Sequence, residues 1–357
     1  MTKESFENLR VNIDSALQDF MNDQSLTIKD NEFFTYYYEQ ISNFLFSGGK
    51  RFRPVLMAVS AAAVNPKILG KDLFRVSLSL ELLHNASLIH DDIMDKAESR
   101  RGIKAFHCTF RDYATEMYSS KNTDVLNYGL SMGILGGDFA YNLAYKAIQE
   151  GKFNAETKLK AYQEFNEGFM SIVKGVILET DMMNKFEVTE KQYIEMNKRK
   201  TAALFEKSAR IGAIFAGGTE SQIESLGNYG KNAGIAFQIV DDVIGTFGDP
   251  AKTGKPVDSD IKEGKKTILL IKAIENSTEE QQKMLNKIVG NRIATQEEIE
   301  QVCLIMKETG AVDYAKKKAE ELYKMSIDFL EKASPKLNIH YKELLINISK
   351  MGVYREK

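Results

Sequence analysis

Apolar residues recur at intervals of three and four along much of this chain. From Val76 to Ile93 they fall at Leu78, Leu82, Leu83, Ala86, Ile89 and Ile93, a spacing that gathers side chains on one helical face. The segments Thr157–Met183, Gln192–Ala216, Ile223–Ile244 and Ala311–Leu330 behave likewise. Proline breaks helix interiors, and none occurs between Pro66 and Pro250, so long helices are permitted there. Strand-like alternation bounded by turn residues is nearly missing. The pattern predicts an all-α fold. Breaks at Asn65–Gly70, Ser119–Thr123, Gly217–Glu220, Gly248–Lys266, Asn276–Glu280 and Ser334–Lys336 do not have the character of interdomain linkers. One helical domain over residues 1–357 is expected.

Composition narrows the function classes. Of 357 residues, 43% are hydrophobic and 27% charged, with a formal net charge of -2. That is enough apolar material for a large core. No global basic field suggests nucleic acid, so an anionic ligand must be caught by a local cluster. Cys108 and Cys303 make no disulfide framework and fit a reducing compartment. The charged start MTKESFENLR does not read as a secretory signal. No apolar run nears the roughly 20 residues of a membrane span. A soluble, cytoplasmic protein is expected.

Two segments carry chemistry. In Leu88-Ile-His-Asp91-Asp92-Ile-Met-Asp95, Asp91 and Asp95 share a helical face with Asp92 beside them. Carboxylates this close repel one another unless cations neutralise them. Phe237-Gln238-Ile-Val-Asp241-Asp242-Val-Ile-Gly245 repeats the arrangement. Either cluster alone reads as an exposed helix end; two, each following a core-like helix, do not. Oxygen donors without a histidine or cysteine pattern indicate a hard cation. Facing helices could hold about two or three Mg²⁺ ions, a site shaped for a diphosphate.

Cations flank both clusters: Lys50, Arg51 and Arg53 in Gly48-Gly49-Lys50-Arg51-Phe52-Arg53-Pro54, then Arg100-Arg101-Gly102, Lys200-Thr201, Lys255, Lys265 and Lys266. Arginine forks suit phosphate oxygens. Gly248 to Pro256 mimics a phosphate-binding loop. It has five residues between its glycines instead of four, a proline in place of the hydroxyl, and a helix before it, so that reading is rejected.

Taken in order, these motifs resemble those of the trans-isoprenyl diphosphate synthase family, over nearly the whole chain. Gly254-Lys255 and Asp260-Ile-Lys-Glu-Gly-Lys265-Lys-Thr267 complete the set. The resemblance implies a bundle of long antiparallel helices around a deep central cavity, usually in a homodimer. It implies that Asp91, Asp95 and Asp241 bind Mg²⁺ directly, with Asp92 and Asp242 in support. Arg100, Lys200 and Lys255 would grip an allylic diphosphate, and Lys50, Arg53 and Arg101 isopentenyl diphosphate. Gln238 and Thr201 would line the reacting centre; Gly49, His84, Phe237 and Lys265 complete the substrate contacts. Peripheral membrane contact through a greasy product stays open.

The chain departs from the family at three positions. Gly245 stands where a third aspartate is usual, and Asp249, eight residues after Asp241, becomes a candidate metal ligand. Val176 and Glu179 replace the usual glutamine and aspartate. These changes keep a non-catalytic regulatory subunit as an alternative. A terpene cyclase is a weaker one, since it would have no use for Lys50, Arg53 and Arg101. Chain length should be set beneath the first aspartates, where Ser87, Ala86, Leu83 and Leu80 descend by about 1.5 Å per residue. In the family, bulky aromatics at the positions of Ala86 and Ser87 stop growth at fifteen carbons. The small residues here predict a longer product, geranylgeranyl diphosphate or beyond, with Tyr141 as a limit from a facing helix.

Overall fold

The computed structural model describes residues 3–26, 31–118, 122–185, 187–248 and 259–355. Asp249, Gly254, Lys255 and Pro256 lie outside the described residues. The chain forms two compact units, one of residues 1–163 with 214–217, the other of 164–213 with 218–357. Two of the boundaries fall inside helices, and the one after residue 217 falls in a turn between helices.

The first unit contains α1 (Lys3–Ser25), α2 (Glu32–Phe46), α3 (Phe52–Val64), α4 (Lys71–Met94), α5 (Phe106–Met117), α6 (Val125–Gln149) and the start of α7 (Ala155–Met183). Helix α4 is its axis and packs on α1, α3 and α6. It is buried without a break from Val76 to Leu83, including Ser77, Ser79 and Glu81. A helix covered on every side has no solvent stripe, so the three-and-four pattern understated its burial. Helix α6 runs antiparallel to α4. A Cβ on Gly151 would meet Val76, on Gly137 His90, and on Gly133 Ile93. Gly137 permits the close approach: an added Cβ would lie 2.1 Å from His90 Nε2. In this register Tyr141 comes level with Ala86.

The second unit holds the rest of α7, then α8 (Glu190–Asn197), a π-helical turn (Lys198–Ala202), α9 (Ala203–Phe215) and α10 (Glu220–Phe247). After these come α11 (Ser259–Glu263), α12 (Ile268–Asn276), α13 (Glu279–Ile288), α14 (Gln296–Glu308), α15 (Ala311–Glu331) and α16 (Ile339–Val353). Helix α10 is the central rod and packs on α15 and α16. Capping boxes start α8, α10, α13 and α14, where Thr189, Thr219, Thr278 and Thr295 pair with Gln192, Gln222, Gln281 and Glu298. Each satisfies two otherwise orphaned backbone groups.

The all-α expectation holds. Among the described residues the strands are one hairpin, β1 (Ser99–Arg100) and β2 (Ile103–Lys104). One difference matters for function. The segment read as a single helix from Gln192 to Ala216 is interrupted by the π turn, which carries Lys200 and Thr201. Such turns add a residue to the helical ladder and re-aim side chains; apolar periodicity cannot reveal them.

Candidate active site

In the first unit the first aspartate cluster forms the last turn of α4. The helix closes when Lys96, with φ 56°, lets the Ala97 N–H reach the Asp92 carbonyl at 2.9 Å. The hairpin then turns on Arg101 and Gly102, both with positive φ, as tight two-residue turns demand. This brings Arg100 back onto Asp92, with Nε and Nη2 both 2.6 Å from Oδ1. Asp92 is fully buried, and burial raises its pKa against the pull of Arg100. Asp91 and Asp95 are half-buried.

The same turn aims Arg101 at the glycine loop, where Nη1 donates to the Gly48 carbonyl at 2.9 Å. A Cβ on Gly49 would lie 3.5 Å from the Arg101 guanidinium nitrogens. Arg53, Arg101, Arg100 and Arg51 all act electrostatically on His84. Burial first, and then these arginines, hold the imidazole well below its usual pKa of 6.5. The structure therefore gathers Gly49, Arg53, His84, Arg100 and Arg101 in one positive region, with Lys50 in the same turn. Ala86 is 3% exposed, Leu80 and Leu83 are fully buried, and the Ser87 hydroxyl donates to the His84 carbonyl.

In the second unit Asp241 and Asp242 have different surroundings. Asp242 is buried; Oδ1 accepts from Gln238 Nε2 at 2.8 Å and Oδ2 from Tyr193 at 2.7 Å. Burial and the neighbouring Asp260 push its pKa up to about 8. Gln238 Oε1 accepts from the Thr201 hydroxyl at 2.8 Å. The chain Tyr193–Asp242–Gln238–Thr201 fixes which way the Gln238 amide points. Asp241 is exposed on its side chain to 52% and accepts from Arg355 Nη2 at 2.8 Å. Lys200 Nζ pairs with Glu179, the longer acid at the second departure. Gly175 makes room, since a Cβ there would sit 2.4 Å from the Lys200 backbone nitrogen. Lys265 Nζ lies 3.3 Å from Asp260 Oδ1 and 2.7 Å from Glu263.

Three residues escaped the sequence reading. Tyr193 reads there as an apolar helix position. Arg355 follows the last helix, with no motif to mark it. Asp260 stands in the sequence only as part of a motif, yet its Oδ2 lies 3.2 Å from where a Gly245 Cβ would stand. A carboxylate from α11 thus fills the space left by the missing third aspartate.

The donor set suits Mg²⁺. The candidates are carboxylate oxygens, and Asp92 Oδ2 is buried without a hydrogen-bond partner. Among the described residues no three histidine, cysteine or acidic side chains close into a cage. Magnesium is usually held by one or two carboxylates, with substrate phosphates and water completing its shell. Among the described residues no helix is long and apolar enough to cross a membrane.

Comparison with known proteins agrees with this chemistry. A family model described as polyprenyl synthetase matches residues 35–306. The geranylgeranyl diphosphate synthase of Sulfolobus acidocaldarius is 36% identical over 86% of this chain and 87% of its own. The geranylfarnesyl diphosphate synthase of Aeropyrum pernix is 32% identical over 84% and 88%. The crystal structure of geranylgeranyl pyrophosphate synthase from Corynebacterium glutamicum, complexed with isoprenyl diphosphate and magnesium, matches with a TM-score of 0.91. It is 27% identical and covers 99% of this chain and 100% of that one.

Proposed function

The chain belongs to the polyprenyl synthetase family and is a trans-prenyltransferase, and we propose that it condenses isopentenyl diphosphate with an allylic diphosphate using Mg²⁺. The observation that carries this reading is the pairing of each aspartate-bearing helix end with its own cations and polar groups. Arg100 grips Asp92, which lies between Asp91 and Asp95 in sequence, and Gln238, itself bonded to Thr201 next to Lys200, grips Asp242 beside Asp241.

In this reading Arg100 and Lys200, with Lys255, hold the allylic diphosphate, while Lys50, Arg53 and Arg101 hold isopentenyl diphosphate. Asp91, Asp95 and Asp241 would hold about two or three Mg²⁺ ions, with Asp92, Asp242 and Asp260 supporting. When bound, the metal neutralises charge gathering on the leaving diphosphate. Lys200 and Arg100 would add positive charge for the diphosphate as the allylic C–O bond breaks and its electron pair leaves with that group. Lys50, Arg53 and Arg101 hold the isopentenyl double bond close enough to form the new C–C bond. The Thr201 hydroxyl and the Gln238 amide face the reacting centre with fixed orientation. The proton then lost goes to the departed diphosphate.

Small residues at Ala86 and Ser87 favour a product longer than fifteen carbons, with geranylgeranyl diphosphate the product proposed. A homodimer belongs to the same reading, supported by Leu126, Leu130, Ile134 and Leu135, all exposed along α6. A cytoplasmic location fits the free thiols of Cys108 and Cys303. The test is to incubate the purified protein with Mg²⁺, isopentenyl diphosphate and, in turn, dimethylallyl, geranyl and farnesyl diphosphate, reading products by mass spectrometry. A C20 product is expected. No turnover by the chain alone would sink the proposal and favour a regulatory subunit.

A further inference from the structure

The three cations of Lys50-Arg51-Phe52-Arg53 do not point the same way. Arg51 has a left-handed backbone, φ 51°, and only 4% of it is exposed. Its Nε donates to Asp14 Oδ1 at 2.8 Å, Nη1 to Glu81 Oε1 at 2.8 Å and Nη2 to the Leu45 carbonyl at 2.9 Å. Glu81, on α4, is 2% exposed. Its Oε1 also accepts from Asn85 Nδ2 at 3.2 Å. Asn85 Oδ1 accepts from Arg101 Nη1 at 3.3 Å, and that same nitrogen donates to the Gly48 carbonyl. The contacts close a ring from the glycine turn through α4 to the hairpin and back.

Burying an ion pair is a weak route to stability, because desolvation offsets most of the attraction and an apolar pair of similar volume often does as well. An apolar pair could not hold the backbone of the turn, nor could it orient Arg101. We propose that Glu81 is a positioning residue for isopentenyl diphosphate. Through Arg51 it fixes the turn that carries Lys50 and Arg53, and through Asn85 it fixes Arg101, so the three charges keep one spacing. The proposal rests on the reading of those three cations as the isopentenyl diphosphate grip.

The test is steady-state kinetics on the full chain, varying each diphosphate separately, with melting temperatures recorded alongside. If the wild type does not condense the two substrates, the underlying reading falls and takes this proposal with it. With an active wild type, Glu81→Gln is expected to raise KM for isopentenyl diphosphate roughly ten- to a hundredfold, the scale of a small misplacement. KM for the allylic diphosphate and kcat at saturation should change little. Asp14→Asn and Asn85→Ala each loosen one arm of the ring, and should raise the same KM less; they decide the matter if Glu81→Gln does not fold. Arg51→Met combined with Glu81→Met should recover melting temperature without recovering that KM. The proposal is overturned if Glu81→Gln lowers melting temperature with KM for isopentenyl diphosphate unchanged. It also fails if both KM values rise together, or if the double replacement restores both properties.

Discussion

Arg355 donates Nη2 to Asp241 Oδ1 at 2.8 Å while its guanidinium lies 4.0 Å from the centre of the Phe237 ring. A cation tethered near the end of the chain thus occupies a carboxylate that the proposed mechanism needs for Mg²⁺. The two cations compete for one group. Arg355→Gln is expected to lower the Mg²⁺ concentration for half-maximal activity by about two- to fivefold, in line with an exposed pair worth under about 1 kcal/mol. Titration calorimetry with Mg²⁺ and a non-reacting diphosphate checks this. An unchanged metal requirement would show that the pair breaks without cost.

Asp260 standing at the Gly245 gap leads to a second expectation. Gly245→Asp would set two carboxylates together and destabilise the metal-free protein by about 1 kcal/mol or more. Asp260→Gly should relieve that in the double variant. Asp260→Asn alone should weaken the magnesium dependence of kcat. Thermal melts with and without Mg²⁺ read the first pair, and metal titration of activity reads the last.

His84 gives a pH dependence with a definite sign. Its pKa is lowered in the folded protein by burial and by the surrounding arginines, from an ordinary 6.5. Below that value the unfolded chain binds a proton that the folded one refuses, so this group lowers stability as pH falls through 6.5. The slope is at most about 1.4 kcal/mol per pH unit. His84→Gln should flatten that part of a stability-against-pH curve from chemical denaturation. The same slope in the variant would assign it elsewhere.

For product length, Ala86→Phe should shorten the chain towards fifteen carbons, since the ring would project at the level of Tyr141. Tyr141→Ala should lengthen it. Mass spectrometry of the prenyl products decides both. An unchanged distribution with Ala86→Phe would take Ala86 out of the chain-length floor.

Much of this was legible in the residues. The long helices follow from the three-and-four pattern and the missing prolines. The aspartates and cations announce themselves because charge at the end of an apolar helix needs a reason. What stayed hidden depends on three-dimensional partners. Asp91 and Asp92 are adjacent letters, but one is half-buried and the other is sealed against Arg100. Arg51 reads as one more phosphate ligand, yet Asp14 and Glu81 hold it inside. The role of Asp260 needs the space beside Gly245, which no spacing rule describes.

The π turn at Lys198–Ala202 also bears on which insertions and deletions the gene can tolerate. It amounts to one residue more than an α-helix needs, wedged between two stretches whose packing is already in phase. Losing a single codon there should leave α8 and α9 seated as they are and the protein folded. Lys200 and Thr201 would then swing away from Glu179 and Gln238. A one-residue deletion should therefore be nearly silent in a melting curve and severe in turnover, the reverse of what deletion inside a helix normally does.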